Sequence, residues 1–131
     1  MALQDKKTEA AGFSNKEELR RVTYDFAEDG GSQGDYDIYE AQGAQAVRVK
    51  MVQVEDALTS GGSAVIDCGK GDGGAEYLSD EGFASFSAGA VVNVATSDYV
   101  KLADGEKIVM GIEAADLTAG KMVFLLDVVR F

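Results

Sequence analysis

The sequence predicts an all-β fold, a single-domain antiparallel β-sandwich or jelly-roll-like barrel. Three observations predict it: apolar and polar residues alternate from residue 22 onward, glycine-rich turns separate the apolar runs, and 131 residues fit one domain. The chain has 16 glycines and no proline, and 46% of its residues are hydrophobic. A chain of this length buries enough surface to fold without a disulfide or a metal.

The first strands are indicated by alternation with a period of two, which is typical of a half-buried strand. Val22, Tyr24 and Phe26 alternate with polar residues, and Tyr36 and Ile38 repeat the pattern after a glycine-rich loop at residues 30–34. We therefore expect two strands joined by this loop.

A change of phase marks the next strand. Val47, Val49 and Met51 occupy alternate positions, but the apolar positions then shift to Val52 and Val54. One extra residue in a strand moves the following side chains to the other face. The sequence therefore predicts a β-bulge near residues 51–52.

The second half of the chain continues the strand pattern. Strands are expected at residues 64–68 and 90–95, and over residues 108–113, where Ile108, Met110 and Ile112 share a face. The last strand, residues 122–131, is apolar on both faces apart from Asp127, which predicts a central strand or one whose second face meets another subunit. In the second case the subunit interface contains Met122, Phe124, Leu126, Val128 and Phe131.

Residues 1–21 differ from the remainder, residues 22–131, which form the predicted β-sandwich domain. They are polar, and their five basic and four acidic side chains sum to about +1. Ser14 and Glu17 have the spacing of a capping box, which favours a short helix over residues 15–20. The segment is expected to be an extended N-terminal arm that is mobile or docks on an acidic partner. The residues expected to dock are Phe13, Leu19, Arg20 and Arg21.

The charge restricts the partners. The formal net charge is −11 and the isoelectric point is about 4.3, so nucleic acid and anionic membranes would repel the surface. No run of 18 or more apolar residues suggests a membrane helix, and residues 1–13 lack the hydrophobic segment of a signal peptide. We expect no nucleic-acid or membrane partner, and synthesis in a cytoplasm-like compartment.

Residues suited to catalysis are scarce. The chain contains no histidine and one cysteine, which excludes Ser-His-Asp and Cys-His arrangements and the usual zinc sites. Cys68 follows a strand-like run and is expected to be a small buried hydrophobe. We expect a protein that is not an enzyme and that needs no cofactor or metal.

An acidic, glycine-rich stretch offers a calcium alternative. Calcium takes oxygen ligands in flexible geometry, but Asp next to Gly is also usual in ordinary turns, and the spacing of an EF-hand is absent. The turn interpretation is favoured. The candidate ligands are Asp67, Asp72, Glu76 and Asp80.

Aromatic residues offer a second alternative, a carbohydrate-binding platform. Their strand spacing favours packing in and around the core over such a platform. The residues concerned are Tyr24, Phe26, Tyr36 and Tyr39.

The order of motifs over residues 22–131 resembles that of the head decoration, or cement, proteins of tailed bacteriophages. The resemblance is carried by the strand at residues 47–54, the segment 57–69 with its Thr-Ser-Gly-Gly-Ser turn, and the Asp/Gly loop that follows. Glu76-Tyr77-Leu78, Phe83 and a late apolar strand complete it. The chain departs from that pattern by lacking proline in its early loops and by its longer charged N-terminal segment.

The resemblance implies a virion protein made in the host cytoplasm. It would bind the major capsid protein on the outside of an assembled head as a homotrimer, and stabilise the shell by bridging subunits. The alternative is a tail or fibre β module that binds a host-surface glycan. Deletion of residues 1–18 tests the docking role of the arm, because full occupancy of capsids by the truncated protein would contradict it.

Overall fold

Residues 17–130 are described by a computed structural model, and most of them lie in β-strands. One short helix and one 3-10 turn, residues 83–85, accompany the strands. The elements in chain order are β1 (Glu17–Asp25), α1 (Phe26–Asp29), β2 (Gly34–Glu40), β3 (Gln45–Ser60), β4 (Val65–Lys70), β5 (Leu78–Gly82), β6 (Val91–Val92), β7 (Val100–Leu102), β8 (Lys107–Glu113) and β9 (Leu117–Arg130).

The strands form two antiparallel sheets. Sheet I has the order β1-β9-β3-β6, and β7 also pairs with β3; sheet II has the order β2-β8-β4-β5. The inner faces of the two sheets share one hydrophobic core, which confirms the predicted all-β sandwich with a single domain. The sheets stack because each strand turns alternate apolar side chains to the same side.

The predicted bulge is present in β3. Leu125 of β9 pairs with Met51, whereas Leu126 pairs with Val49, so Lys50 is an extra residue. Val47 and Val49 before it and Val52 and Val54 after it are therefore all buried in the core. The bulge keeps one strand of 16 residues in register with the core on both sides of the irregularity.

Strand β9 is central in sheet I, between β1 and β3, as its apolar sequence predicted. Met122, Phe124, Leu126 and Val128 point into the sandwich and are almost fully buried within one copy of the chain. The prediction that these four residues form a subunit interface is therefore wrong, because the core of the same copy already covers them. Phe131 lies outside the described residues.

The predicted boundary at residue 22 is also wrong. Strand β1 begins at Glu17 and pairs with β9 over its whole length, from Glu17 opposite Val129 to Asp25 opposite Lys121. Residues 17–20 are therefore strand rather than helix, because hydrogen bonds to β9 outweigh the local capping signal. Residues 1–16, and with them Phe13, lie outside the described part of the chain.

Two smaller expectations also change. Phe26 begins the helix α1 rather than extending the strand, because the side chain of Asp25 caps the helix by accepting from the N–H of Ala27. The expected strand at residues 90–95 shortens to Val91–Val92. Within residues 17–130, no helix has the length and apolar character needed to cross a bilayer.

Candidate functional site

The outer face of sheet I exposes apolar side chains. Within residues 17–130 the exposed large apolar residues are Leu19, Val91 and Tyr99, with exposed fractions of 59%, 53% and 43%. Leu19 lies opposite Asp127, and Val91 lies opposite Gln53, so both point away from the core. The half-buried side chains of Met51 and Leu125 lie between them. These five residues are called the apolar patch.

Charged side chains of both signs surround this patch. Strand alternation turns Arg21, Arg48, Lys101 and Lys121 to the same outer face, and Lys50 is exposed at the bulge. The chain as a whole carries only 12 Lys and Arg against 23 Asp and Glu. The carboxylates of Glu17, Asp25, Glu55 and Asp127 lie on the same face, so it holds much of the positive charge of the protein together with negative charge.

Arg48 organises one end of the patch. Its guanidinium contacts Asp127 at 2.8 Å, and it lies over the ring of Tyr99 at 4.8 Å from the ring centroid. The hydrogen bond to Asp127 raises the pKa of Arg48. A shallow depression of about 270 Å³ lies beside it, lined by these three residues and Leu19 among others.

The position of Tyr99 depends on a buried hydroxyl. Tyr77 lies in the core, and its hydroxyl donates to the carbonyl of Asp98 at 2.7 Å. Burial raises the pKa of Tyr77 to about 12, so the hydroxyl stays protonated and remains a donor at neutral pH. This bond holds the segment that carries Tyr99 against sheet I.

The outer face of sheet II has the opposite character. Its outward positions carry several carboxylates and one lysine, Lys107, which contacts Asp37 at 2.9 Å. The sandwich therefore has one predominantly acidic face and one face on which exposed apolar side chains lie among charges of both signs. The carboxylates are those of Asp35, Asp37, Glu40, Asp67, Asp80 and Glu113.

Three of these carboxylates meet. One oxygen each of Asp67, Asp80 and Glu113 lies within 4.8 Å of the others, and the Asp80 N–H donates to Asp67 Oδ1 at 2.6 Å. The proximity of Asp67, through a hydrogen bond and charge repulsion, raises the pKa of Glu113. An all-oxygen donor set suits calcium or magnesium, but clusters of this kind are also common on acidic surfaces without an ion.

The cluster matches the predicted calcium ligands only in part. Asp67 and Asp80 come together, but Glu76 instead accepts from the N–H of Lys70 at 2.9 Å, and Asp72 is exposed in the loop after β4. Glu113 was not predicted, because it comes from β8 and reaches the cluster only through pairing with β4.

The predicted aromatic residues pack rather than form an exposed platform. The Tyr24 hydroxyl donates to the backbone carbonyl of Gly30, and the Tyr36 hydroxyl donates to the backbone carbonyl of Ser32. The Tyr39 hydroxyl donates to Gln45 Oε1, and all three distances are 2.6 Å. Tyr24 and Tyr36 also make an edge-to-face pair, with centroids 5.8 Å apart. The favoured packing interpretation is confirmed for these tyrosines.

The predicted docking residues that the structure describes do not share one side of β1. Leu19 and Arg21 point outward from sheet I. Arg20 points the other way and lies over the ring of Tyr39 at 5.6 Å from its centroid, while contacting Glu18 at 3.2 Å.

Cys68 is fully buried on the core side of β4, as predicted, and burial raises its pKa to about 12. A thiol with this pKa is almost entirely protonated at neutral pH, so it is neither a nucleophile nor a metal ligand there.

Comparison with known proteins gives no relative. No family model, no curated protein and no solved structure matches the chain.

Proposed function

We propose that this protein is a capsid decoration protein of a tailed bacteriophage. It binds the outside of an assembled head and stabilises it by bridging major capsid subunits. The observation that carries the proposal is the contrast between the two outer faces of the sandwich. The outer face of sheet I combines the apolar patch with basic and acidic residues, and the outer face of sheet II is predominantly acidic.

A protein with two such faces is suited to attachment by one side. Exposed apolar side chains gathered on one face indicate a surface that is covered in the working state, because burying them is favourable by about 25 cal/mol per Å². The charged side chains around the patch, which are of both signs, favour a partner surface with a complementary arrangement of charges. The acidic face would then point to solvent, where its charge keeps particles apart.

Stabilisation of a shell requires no bond making. A protein that binds the assembled shell and not its loose subunits shifts the equilibrium towards the shell by mass action. Many copies that each span two capsid subunits add avidity to this effect. This mechanism is consistent with a chain that lacks histidine and whose single thiol is buried.

The proposal includes the localisation and the partner that were expected from the sequence. It is a structural component of the virion, made in the host cytoplasm, not an enzyme, with the major capsid protein as its partner. It assembles as a homotrimer, but through surfaces other than the buried residues of β9.

The competing interpretation is a tail or fibre module that binds a host glycan. It draws no support from the tyrosines, because Tyr36 and Tyr39 donate their hydroxyl hydrogens within the protein. A glycan platform needs exposed rings with free polar edges.

Co-sedimentation with purified heads of the same phage tests the proposal. Leu19→Glu should lower the bound copy number per major capsid protein, because it places a carboxylate within the apolar patch. Ser79→Glu is the matched control, since it adds the same charge at an exposed position of β5 in sheet II. Equal binding of both variants, or no binding of the unmodified protein, would contradict the proposal.

A further inference from the structure

An open groove runs along one side of the sandwich, between the edge strand of each sheet. Strand β1 ends sheet I and β2 ends sheet II, and no backbone pairing joins these two described strands. Only side chains bridge them, Tyr24 against Tyr36 and Arg20 over Tyr39. The resulting groove has a volume of about 350 Å³.

The groove has an apolar floor with one carboxylate beside it. Val22 and Ile38 supply apolar surface and Asp29 supplies the carboxylate. Asp35 and Asp37 line the groove from β2, but their carboxylates are directed to the outer face of sheet II. The pKa of Tyr36 is raised by burial and by the negative charge of Asp116 and Asp29, which is consistent with an acidic environment. Such a groove suits an extended segment with an apolar side chain and neighbouring lysines.

The edge of β1 adds a backbone contribution. In residues 17–130, β1 pairs with β9 and with no other strand, so its second edge carries backbone groups without a strand partner. Its residues 22–24 also line the groove. An extended peptide can add to such an edge through main-chain hydrogen bonds, with pockets for alternate side chains.

We propose that this groove binds the N-terminal segment, residues 1–16, of a second copy of the chain. The segment carries Lys6, Lys7 and Lys16 against Asp5 and Glu9, a net side-chain charge of +1, whereas residues 17–130 hold the remaining −12 of the total of −11. It also supplies an aromatic anchor, Phe13. This inference does not depend on the proposed capsid function.

The reach of the chain favours a second copy. Phe13 precedes Glu17 by four residues, so even a fully extended backbone carries it at most about 14 Å from the start of β1. Val22 lies five residues further along β1, about 17 Å from Glu17 in a strand. The Cα atom of Phe13 of the same copy therefore falls short of Val22 even before the chain reverses direction, whereas the segment of a neighbouring copy is not limited in this way.

Such an exchange of N-terminal segments between copies would hold an oligomer together without an interface through β9. Each copy would donate one segment and accept another, a heterologous contact that closes into a ring when the rotation between copies allows it. A closed ring of three copies would need no contact through the core.

Photo-crosslinking of the full-length protein tests the proposal without capsids. Phe13→p-benzoylphenylalanine keeps an aromatic side chain and reacts on irradiation with whatever it contacts. A mixture of ¹⁴N- and ¹⁵N-labelled chains, analysed by peptide mass spectrometry, distinguishes contacts between copies from contacts within one. We expect mixed-isotope crosslinks to residues 22–24 or 35–38.

A charge variant supplies a second measurement. Asp29→Asn, which keeps a hydrogen-bond acceptor at this position, should lower the yield of crosslinks between copies by roughly two- to fivefold, the scale of one exposed charge pair. Asp72→Asn, an equal change in the loop after β4, is the control and should leave the yield unchanged. Crosslinks within one copy, crosslinks outside the groove, an absence of crosslinks, or equal effects of the two variants would each overturn the proposal.

Discussion

Arg48 and Asp127 form an ion pair of 2.8 Å across strands β3 and β9, on the outer face of sheet I. The two side chains are 29% and 22% exposed, so water screens the pair only in part. Because Arg48 also lies over the ring of Tyr99, the pair fixes the end of the face that carries the apolar patch.

Asp127→Asn should lower the free energy of unfolding by about 0.5–1 kcal/mol, the upper part of the range for partly exposed ion pairs. Urea denaturation measures this change. Glu55→Gln is the matched control, because the Glu55–Lys121 pair is longer, at 3.5 Å, and more exposed. An equally large decrease in the free energy of unfolding for Glu55→Gln would show that the Arg48–Asp127 pair is no stronger than a more exposed ion pair.

Phe124→Ala should lower the free energy of unfolding by about 3–5 kcal/mol, because Phe124 is fully buried and its removal leaves a cavity. Leu125→Ala, at the half-buried neighbouring position, should cost clearly less. The loss for Phe124→Ala should not depend on protein concentration, since the side chain packs within one copy. A loss that shrinks on dilution would restore the subunit-interface interpretation of β9.

Glu113→Gln should raise the melting temperature at neutral pH. The folded state raises the pKa of Glu113 because of Asp67, so the native protein holds this proton more tightly than the unfolded chain does. Stability is therefore lost as the pH rises from the ordinary glutamate pKa of about 4.3 through the raised value, and stays lower above it. The gain for Glu113→Gln should disappear below that window.

Glu106→Gln should give the opposite pattern. The N–H of Ala103 and the ammonium of Lys70 lower the pKa of Glu106, so its stabilising effect is present above the ordinary glutamate pKa and lost as the pH falls through the lowered value. Melting curves should be recorded from pH 3 to pH 8, a range of about five units that includes the ordinary glutamate pKa. The melting temperature of Glu106→Gln should be lower than that of the unmodified protein at neutral pH only. A change of the melting temperature in the same direction for both glutamate variants at neutral pH would contradict the raised pKa of Glu113 or the lowered pKa of Glu106.

Gly31→Ala should destabilise the protein by about 1–3 kcal/mol, the cost of overpacking. A methyl group at Gly31 would overlap the carbonyl of Leu117 and lie 2.8 Å from the ring of Phe26. Gly61→Ala is the control, because a methyl group there meets no atom within 4 Å. Equal urea midpoints for the two variants would show that the contact between Gly31 and Leu117 relaxes freely.

Local periodicity predicted the parts of the fold in which one strand carries its own signal. The phase change between Val49 and Val52 predicted the bulge, and the run from Met122 to Val128 predicted a central strand. These signals depend on alternation and burial, which a single strand shows by itself. Pairing partners show no such signal, so the order of strands in the two sheets could not be predicted.

The N-terminal boundary shows how a local signal misleads. Ser14 and Glu17 have helix-capping spacing, and nothing near them in the sequence shows that residues 17–21 pair with residues 125–129. The choice between helix and strand is made by a partner more than 100 residues away. For the same reason the alternative role of β9 as an interface was wrong, since the sequence does not say which surface covers an apolar strand.

The candidate surface was predictable only in fragments. Leu19 and Arg21 were expected to dock on a partner, but Val91 and Tyr99 were not, because their direction depends on the pairing of a two-residue strand and on a cation–π contact. Likewise, Asp67 and Asp80 could be grouped by their nearness in sequence, whereas Glu113 joins them only through the sheet.

The enclosure of Cys68 makes this protein convenient for site-specific labelling. Maleimides react with thiolates, and a sulfhydryl with a pKa of about 12 inside the sandwich offers almost none at neutral pH. A cysteine introduced at an exposed position such as Ser79 or Ser63 would therefore take up a fluorophore or spin label alone, with the native cysteine left in place.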